Sequence, residues 1–130
     1  MLRALALAII MFTPAMAHAD PCVAPLPSPG ANFSGPVRYI GDGDSLCLGP
    51  SANPASWIEV RLEDFYAPEL RAHGGAQAKA TLEALTRGRS LACRAGRRSY
   101  DRVVARCTLD GIPVGDLMRR RGVAEGGRGR

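Results

Sequence analysis

A chain of 130 residues with a formal net charge of +5 has room for one small domain and not for two. Beyond a short apolar run at its start, no stretch approaches the length of a transmembrane helix. The positive charge is almost all arginine, with Lys79 the one lysine; arginine's planar fork suits bidentate contact with phosphate, although arginine-rich codon usage leads to the same composition.

Residues 1–19, "MLRALALAIIMFTPAMAHA", carry Arg3 near the start, an apolar run from Leu5 to Phe12, and small residues at Ala17 and Ala19. That layout predicts a secretory signal peptide cleaved between Ala19 and Asp20. The run is too short to span about 30 Å of hydrocarbon, so a membrane anchor is the weaker reading. The mature chain is then expected in the periplasm or outside the cell, free of the membrane, monomeric, and at +4 once Arg3 is lost.

Residues 20–35, "DPCVAPLPSPGANFSG", are too rich in Pro, Gly and Ser for a regular element and are expected to form an arm. "PVRYIG" and "SLCLG" follow as short strands joined through the turn-forming "DGD", residues 42–44. "PSANPAS" is a loop, and "WIEVRLED" alternates strongly enough for a third strand. Alanines and leucines then fall at helical spacing from Gly75 to Thr86 (Ala78, Leu82, Leu85), with Gly88 as the stop. "RSLACRA" and "RVVARCTL" flank "RRSYDR" as a hairpin. "GDLMRRRG" is a short helix ended by Gly122, and residues 125–130 are expected to be a flexible tail.

All four cysteines lie after residue 19. An even count in a small exported chain predicts two disulfides, for which three pairings exist. Cys93 and Cys107 stand seven residues either side of Tyr100, so the hairpin would set them opposite each other, within disulfide reach. Cys22 and Cys47 remain, and that bridge would pin the arm. A metal site competes with this reading, but no short Cys–Cys or Cys–His spacing accompanies it.

Five short strands with a helix inserted after the third predict an α+β, mainly β protein: a five-stranded OB-fold barrel with a short C-terminal helix. Closure removes the sheet edges that so small a domain would otherwise expose.

"YIGDGDSLCL", "VRLEDFYAPEL", "GAQAKATLEAL", "SYDRVVARC" and "IPVGDLMRRRGVA" occur in the order and spacing of the staphylococcal nuclease (thermonuclease) family, over residues 36–124. The chain thus resembles that family. The resemblance implies an OB-fold barrel and calcium-dependent cleavage of phosphodiesters in DNA or RNA. It also implies roles residue by residue. Asp44 would bind calcium, together with the Ala67 backbone carbonyl. Arg61 and Arg102 would hold the scissile phosphate, Glu69 would act as general base, and Tyr100 would contact substrate. At the tip, Asp101 replaces the family's glycine. The second calcium carboxylate is replaced by Tyr66.

The chemistry accounts for those residue types. Attack of water on a phosphodiester builds negative charge, which two arginines stabilise through charge-assisted hydrogen bonds. A glutamate within reach takes the proton of the water. Calcium needs about six to eight oxygens, so losing one carboxylate weakens its site. Three readings of Tyr66 stay open. The protein binds nucleic acid or phosphate without cleaving it; or Asp64 or Glu63 substitutes in the metal shell; or a nuclease works with an incomplete site in which Tyr66 contacts a nucleotide.

Overall fold

The computed structural model describes residues 9–11 and 20–126. The predicted signal peptide therefore lies, apart from 9–11, outside the described residues, as do residues 127–130 of the predicted tail. Among the described residues no helix is long and apolar enough to cross a membrane.

Six strands and two helices follow in order: β1 (Asn32–Asp42), β2 (Ser45–Leu48), β3 (Ile58–Leu62), α1 (Gly75–Thr86), β4 (Ser90–Ser99), β5 (Arg102–Leu109), β6 (Ile112–Pro113) and α2 (Val114–Arg120). β1 pairs with β2 and with β4, β2 with β3, and β4 with β5, all antiparallel; β3 then pairs in parallel with β5 and closes the ring. The predicted five-stranded barrel is present, and its topology is that of an OB-like fold. β6, joined to β5 through Asp110-Gly111, is an addition, as is a 3-10 turn at Pro54–Ser56.

The strands close because each offers an apolar inner face. Leu46, Leu48, Val60, Leu62, Leu91, Val103 and Ala105 are buried inside, and Phe65, Leu82 and Met118 join the same core from loop and helices. An interior of this width is filled by side chains. β2 does not alternate: all four of its residues are buried. Its second face is covered by the arm, through the Cys22–Cys47 disulfide (Cα–Cα 5.9 Å) and amides from Val23 and Ala24 to the carbonyls of Pro54 and Trp57.

Cys93 and Cys107 are directly opposed on β4 and β5 and disulfide-bonded, with Cα atoms 4.1 Å apart. Both expected bridges are thus formed.

Two boundaries differ from expectation. β1 begins at Asn32, so the last residues assigned to the arm are strand and pair with β4. Gly35-Pro36 reads as a break in sequence, but it marks the corner at which β1 changes partner from β4 to β2. The tail is also tied at its start. Glu125 accepts the Tyr66 amide at 2.8 Å, and the Gly126 amide donates to the Tyr66 carbonyl at 3.1 Å.

Candidate phosphate-binding face

The β1–β2 turn is built on Asp42. Its Oδ1 accepts from the Asp44 amide (3.1 Å) and the Ser45 hydroxyl (2.8 Å), a side chain taking the part of a backbone turn. Gly43 lets two other elements close on this turn. A Cβ there would lie 2.7 Å from the Ala67 methyl and 2.5 Å from that of Ala78 in α1.

Asp44 is consequently buried, 3% exposed. Its Oδ2 accepts the Ala67 amide at 3.1 Å and lies 3.7 Å from Nη2 of Arg61. Burial raises this carboxyl to about 7, helped by the hydrogen bond and charge of Asp42; Arg61 and the Ala67 amide pull it the other way. Arg61 stands opposite Ser45 on β2 and Val104 on β5, and its Nε is buried without a partner.

The parallel ladder sets Val60 beside Val103, so Glu59 and Arg102 precede them as neighbours. Glu59, Arg61 and Glu63 thus share the outward face of β3, next to Arg102, Val104 and Arg106 on β5. Glu63 pairs with Arg106 at 3.7 Å. Glu59 is 5% exposed, and its Oε2 has no hydrogen-bond partner. Burial raises its carboxyl to about 8, together with a hydrogen bond to Asp20 and the charges of Asp20 and Asp101; Arg102 opposes them.

Arg102 is half-buried, and its guanidinium makes no hydrogen bond or ion pair among the described residues. Tyr100, 92% exposed, occupies the turn between β4 and β5 at φ 58°. This is a left-handed conformation that costs a residue with a side chain about 1–2 kcal/mol. The ring is projected fully into solvent beside Arg102.

The segment from Asp64 to Glu69 hangs from the end of β3 and is fastened by α2. Asp64 Oδ2 accepts the Gly115 amide (3.1 Å), and the Asp64 carbonyl accepts from Arg119. The Arg119 guanidinium also lies over the Phe65 ring, 5.7 Å from its centroid, and bonds Glu125. Arg119, in the last turn of α2, is therefore a latch. Asp64 is tied to the start of α2 through Oδ2 while its Oδ1 is buried without a hydrogen-bond partner, and Glu63 pairs with Arg106.

Tyr66 is half-buried and lines a cleft of about 510 Å³ with Glu63, Gly96, Arg97 and Val104. Val104 faces Arg61 across the ladder, so this cleft adjoins the arginines. Glu69 is exposed on the following loop. Its carbonyl accepts the Ala72 amide at 2.8 Å, and Gly75 has no side chain to obstruct that turn, where a Cβ would lie 2.0 Å from the Glu69 oxygen. The Glu69 carboxylate makes no hydrogen bond or ion pair among the described residues.

The structure thus brings Asp44, Arg61 and Ala67 into contact and sets Arg102 and Tyr100 on the same side of the barrel. Glu69 is left on the neighbouring loop. The buried carboxylate among them is Asp44, whose Oδ2 accepts the Ala67 amide and faces Arg61, with the Asp42 carboxylate beside it in the same turn. Among the described residues no three acids, histidines or cysteines converge as metal ligands. Glu59 and Asp20 were missed by sequence reasoning. Strict alternation in "WIEVRLED" already sets Glu59 on the face of Arg61, whereas nothing in the sequence brings Asp20 there.

Fold and site together define an OB-like barrel with an arginine-bearing outer face. No protein-family model and no curated protein matches this chain.

Proposed function

We propose that the protein is an exported nuclease that binds single-stranded DNA or RNA across this face and hydrolyses its phosphodiester bonds. The observation that carries the reading is a pair of arginines on one side of the barrel: Arg61, partly exposed with its Nη2 3.7 Å from Asp44 Oδ2, and Arg102, whose guanidinium makes no hydrogen bond or ion pair among the described residues. A phosphate between them receives charge-assisted hydrogen bonds that strengthen as charge builds on its oxygens. Tyr100 offers an exposed ring on which a base stacks, and the cleft at Tyr66 receives a neighbouring nucleotide. Glu69, on an exposed loop, accepts the proton of the attacking water once substrate brings the loop in. Two buried disulfides agree with folding in an oxidising compartment.

A second reading, a nucleic-acid-binding module without cleavage, is favoured by a Glu69 carboxylate that makes no hydrogen bond or ion pair among the described residues and by Tyr66 in place of an acid. Incubating purified protein with single-stranded DNA and RNA, in calcium and in chelator, separates the two. Release of shorter products in either condition supports the nuclease. Binding with intact substrate in both supports the module.

A further inference from the structure

We propose that Glu59, buried beside the disulfide-held arm, is a positioning residue of the phosphate-binding face that leaves Arg102 unpaired and open to a phosphate. The proposal rests on the reading of Arg102 as a phosphate ligand.

Its basis is geometric. Glu59 and Arg102 immediately precede Val60 and Val103, the first pair of the parallel β3–β5 ladder, and an ionised glutamate there would attract the arginine. No such pair exists among the described residues, and Oε2 of Glu59 is buried and unpartnered. On the other side Asp20 is brought in by the arm. Its carboxylate approaches Gly41 and its phenolic neighbour is Tyr39. The Cys22–Cys47 bridge holds the arm here, and Cys47 stands opposite Glu59 on β2.

The groups facing Glu59 are therefore Asp20 from the arm, Asp101 from the β4–β5 turn and Arg102 from β5, with Arg61 two residues on along its own strand. Burial first, and then the two acids, outweigh Arg102 and favour the neutral form of Glu59, in line with its rise to about 8. When Glu59 loses its proton, the new carboxylate attracts Arg102 and repels an incoming phosphate. Phosphate affinity should then track the fraction of Glu59 that is protonated, a fall of about tenfold between pH 7 and pH 9.

The test is fluorescence anisotropy with a labelled oligothymidylate in chelator, at constant ionic strength, across that range. For the native protein the tenfold loss is expected. In Glu59→Gln the loss should be absent, whatever the affinity at pH 7. Asp20→Asn, a change confined to the arm, should move the midpoint of the loss to lower pH, because an acid that helps keep Glu59 neutral is gone. Thermal melts establish that each variant is folded. Binding with an unchanged slope in both variants overturns the role of Glu59 while the arginine face stands. Absence of oligonucleotide binding at every pH overturns the phosphate reading itself, and the role of Glu59 with it.

Discussion

Asp44 and Ala67 meet side chain to backbone: across 23 residues of sequence, the carboxylate Oδ2 accepts the Ala67 amide at 3.1 Å. This single bond joins the β1–β2 turn to the segment that carries Tyr66 and Glu69. Because the same oxygen faces Arg61, the turn, the third strand and the loop beyond it are set by one buried acid.

Asp44 should therefore leave a pH signature in stability. Its folded value is raised from 3.8 to about 7, so between those values the folded protein holds a proton that the unfolded chain has released. Stability is then full at the acid end of this window and falls as pH rises through it, by at most about 1.4 kcal/mol per pH unit from this group. Glu59 acts in the same direction, from 4.5 to about 8. Asp44→Asn keeps an oxygen for the Ala67 amide but cannot titrate. Urea unfolding from pH 4 to pH 7 should give a shallower decline for this variant than for the native protein. Equal slopes would mean that Asp44 titrates as an ordinary surface acid.

The Cys93–Cys107 bridge closes a loop with a sequence separation of 14. Loops of that size contribute about 3 kcal/mol by restricting the unfolded chain. A Cys93→Ser/Cys107→Ser double variant should lose close to that amount in chemical denaturation while retaining the barrel by circular dichroism. A loss below about 1 kcal/mol would point to a constrained unfolded state that the bridge does little to restrict.

How much of this was legible in the sequence follows from the range of each interaction. The hairpin of β4 and β5 was readable because Cys93 and Cys107 are symmetric about a turn, a local relation. The third strand was readable from its alternation, and the same alternation held the clue to Glu59. The start of β1 was not, since Gly35-Pro36 serves as a corner only when β4 is already alongside. Nor were the fates of Asp64 and Arg119. Each is fixed by a partner about 50 residues distant in sequence: the Gly115 amide for Asp64 and the Asp64 carbonyl for Arg119. Tail residues rich in glycine look loose until Glu125 is seen to accept the Tyr66 amide.

That latch gives a prediction of its own. Glu125→Ala removes the acceptor of the Tyr66 amide and one partner of Arg119. The expected cost is about 1 kcal/mol in global stability, since the bond is exposed. Exchange of the Tyr66 amide with deuterium should quicken well beyond that of the barrel strands. Unchanged protection at Tyr66 would show that Arg119 and Gly126 hold the segment without Glu125.

If the proposed hydrolysis occurs, Arg61 and Arg102 stabilise charge that develops in the transition state. Arg61→Ala and Arg102→Ala should each lower turnover by about two to three orders of magnitude. Glu69→Gln should slow cleavage comparably while leaving oligonucleotide affinity close to native, because its carboxylate makes no contact on the phosphate-binding face. A Glu69→Gln protein as active as native removes the glutamate from the mechanism. Tyr100→Ala should instead weaken binding with little effect on the chemical step, by about 1–3 kcal/mol if a base stacks on the ring.

Tyr66 returns the question of calcium. It follows Phe65, which is locked under Arg119, and precedes Ala67, whose amide touches Asp44. An acid at position 66 would therefore enter a backbone already fastened on both sides. Calcium affinity depends on how many charged oxygens converge, and Asp44 alone supplies too few. Tyr66→Asp adds a second carboxylate without altering Arg61, Glu69 or Arg102. Calorimetric titration should show tighter calcium binding in the variant than in the native protein. A rise in calcium-dependent cleavage should accompany it if the protein hydrolyses phosphodiesters. Calcium bound by the folded variant should also raise its stability, by an amount that grows with calcium concentration. The tyrosine is only half-buried, so its loss should cost less than the ~3–5 kcal/mol typical of a fully buried large aromatic. Melting curves with and without calcium separate that loss from the gain. A folded Tyr66→Asp protein with native calcium affinity would mean that side chains at position 66 do not reach Asp44, and that this barrel handles phosphates with its arginines alone.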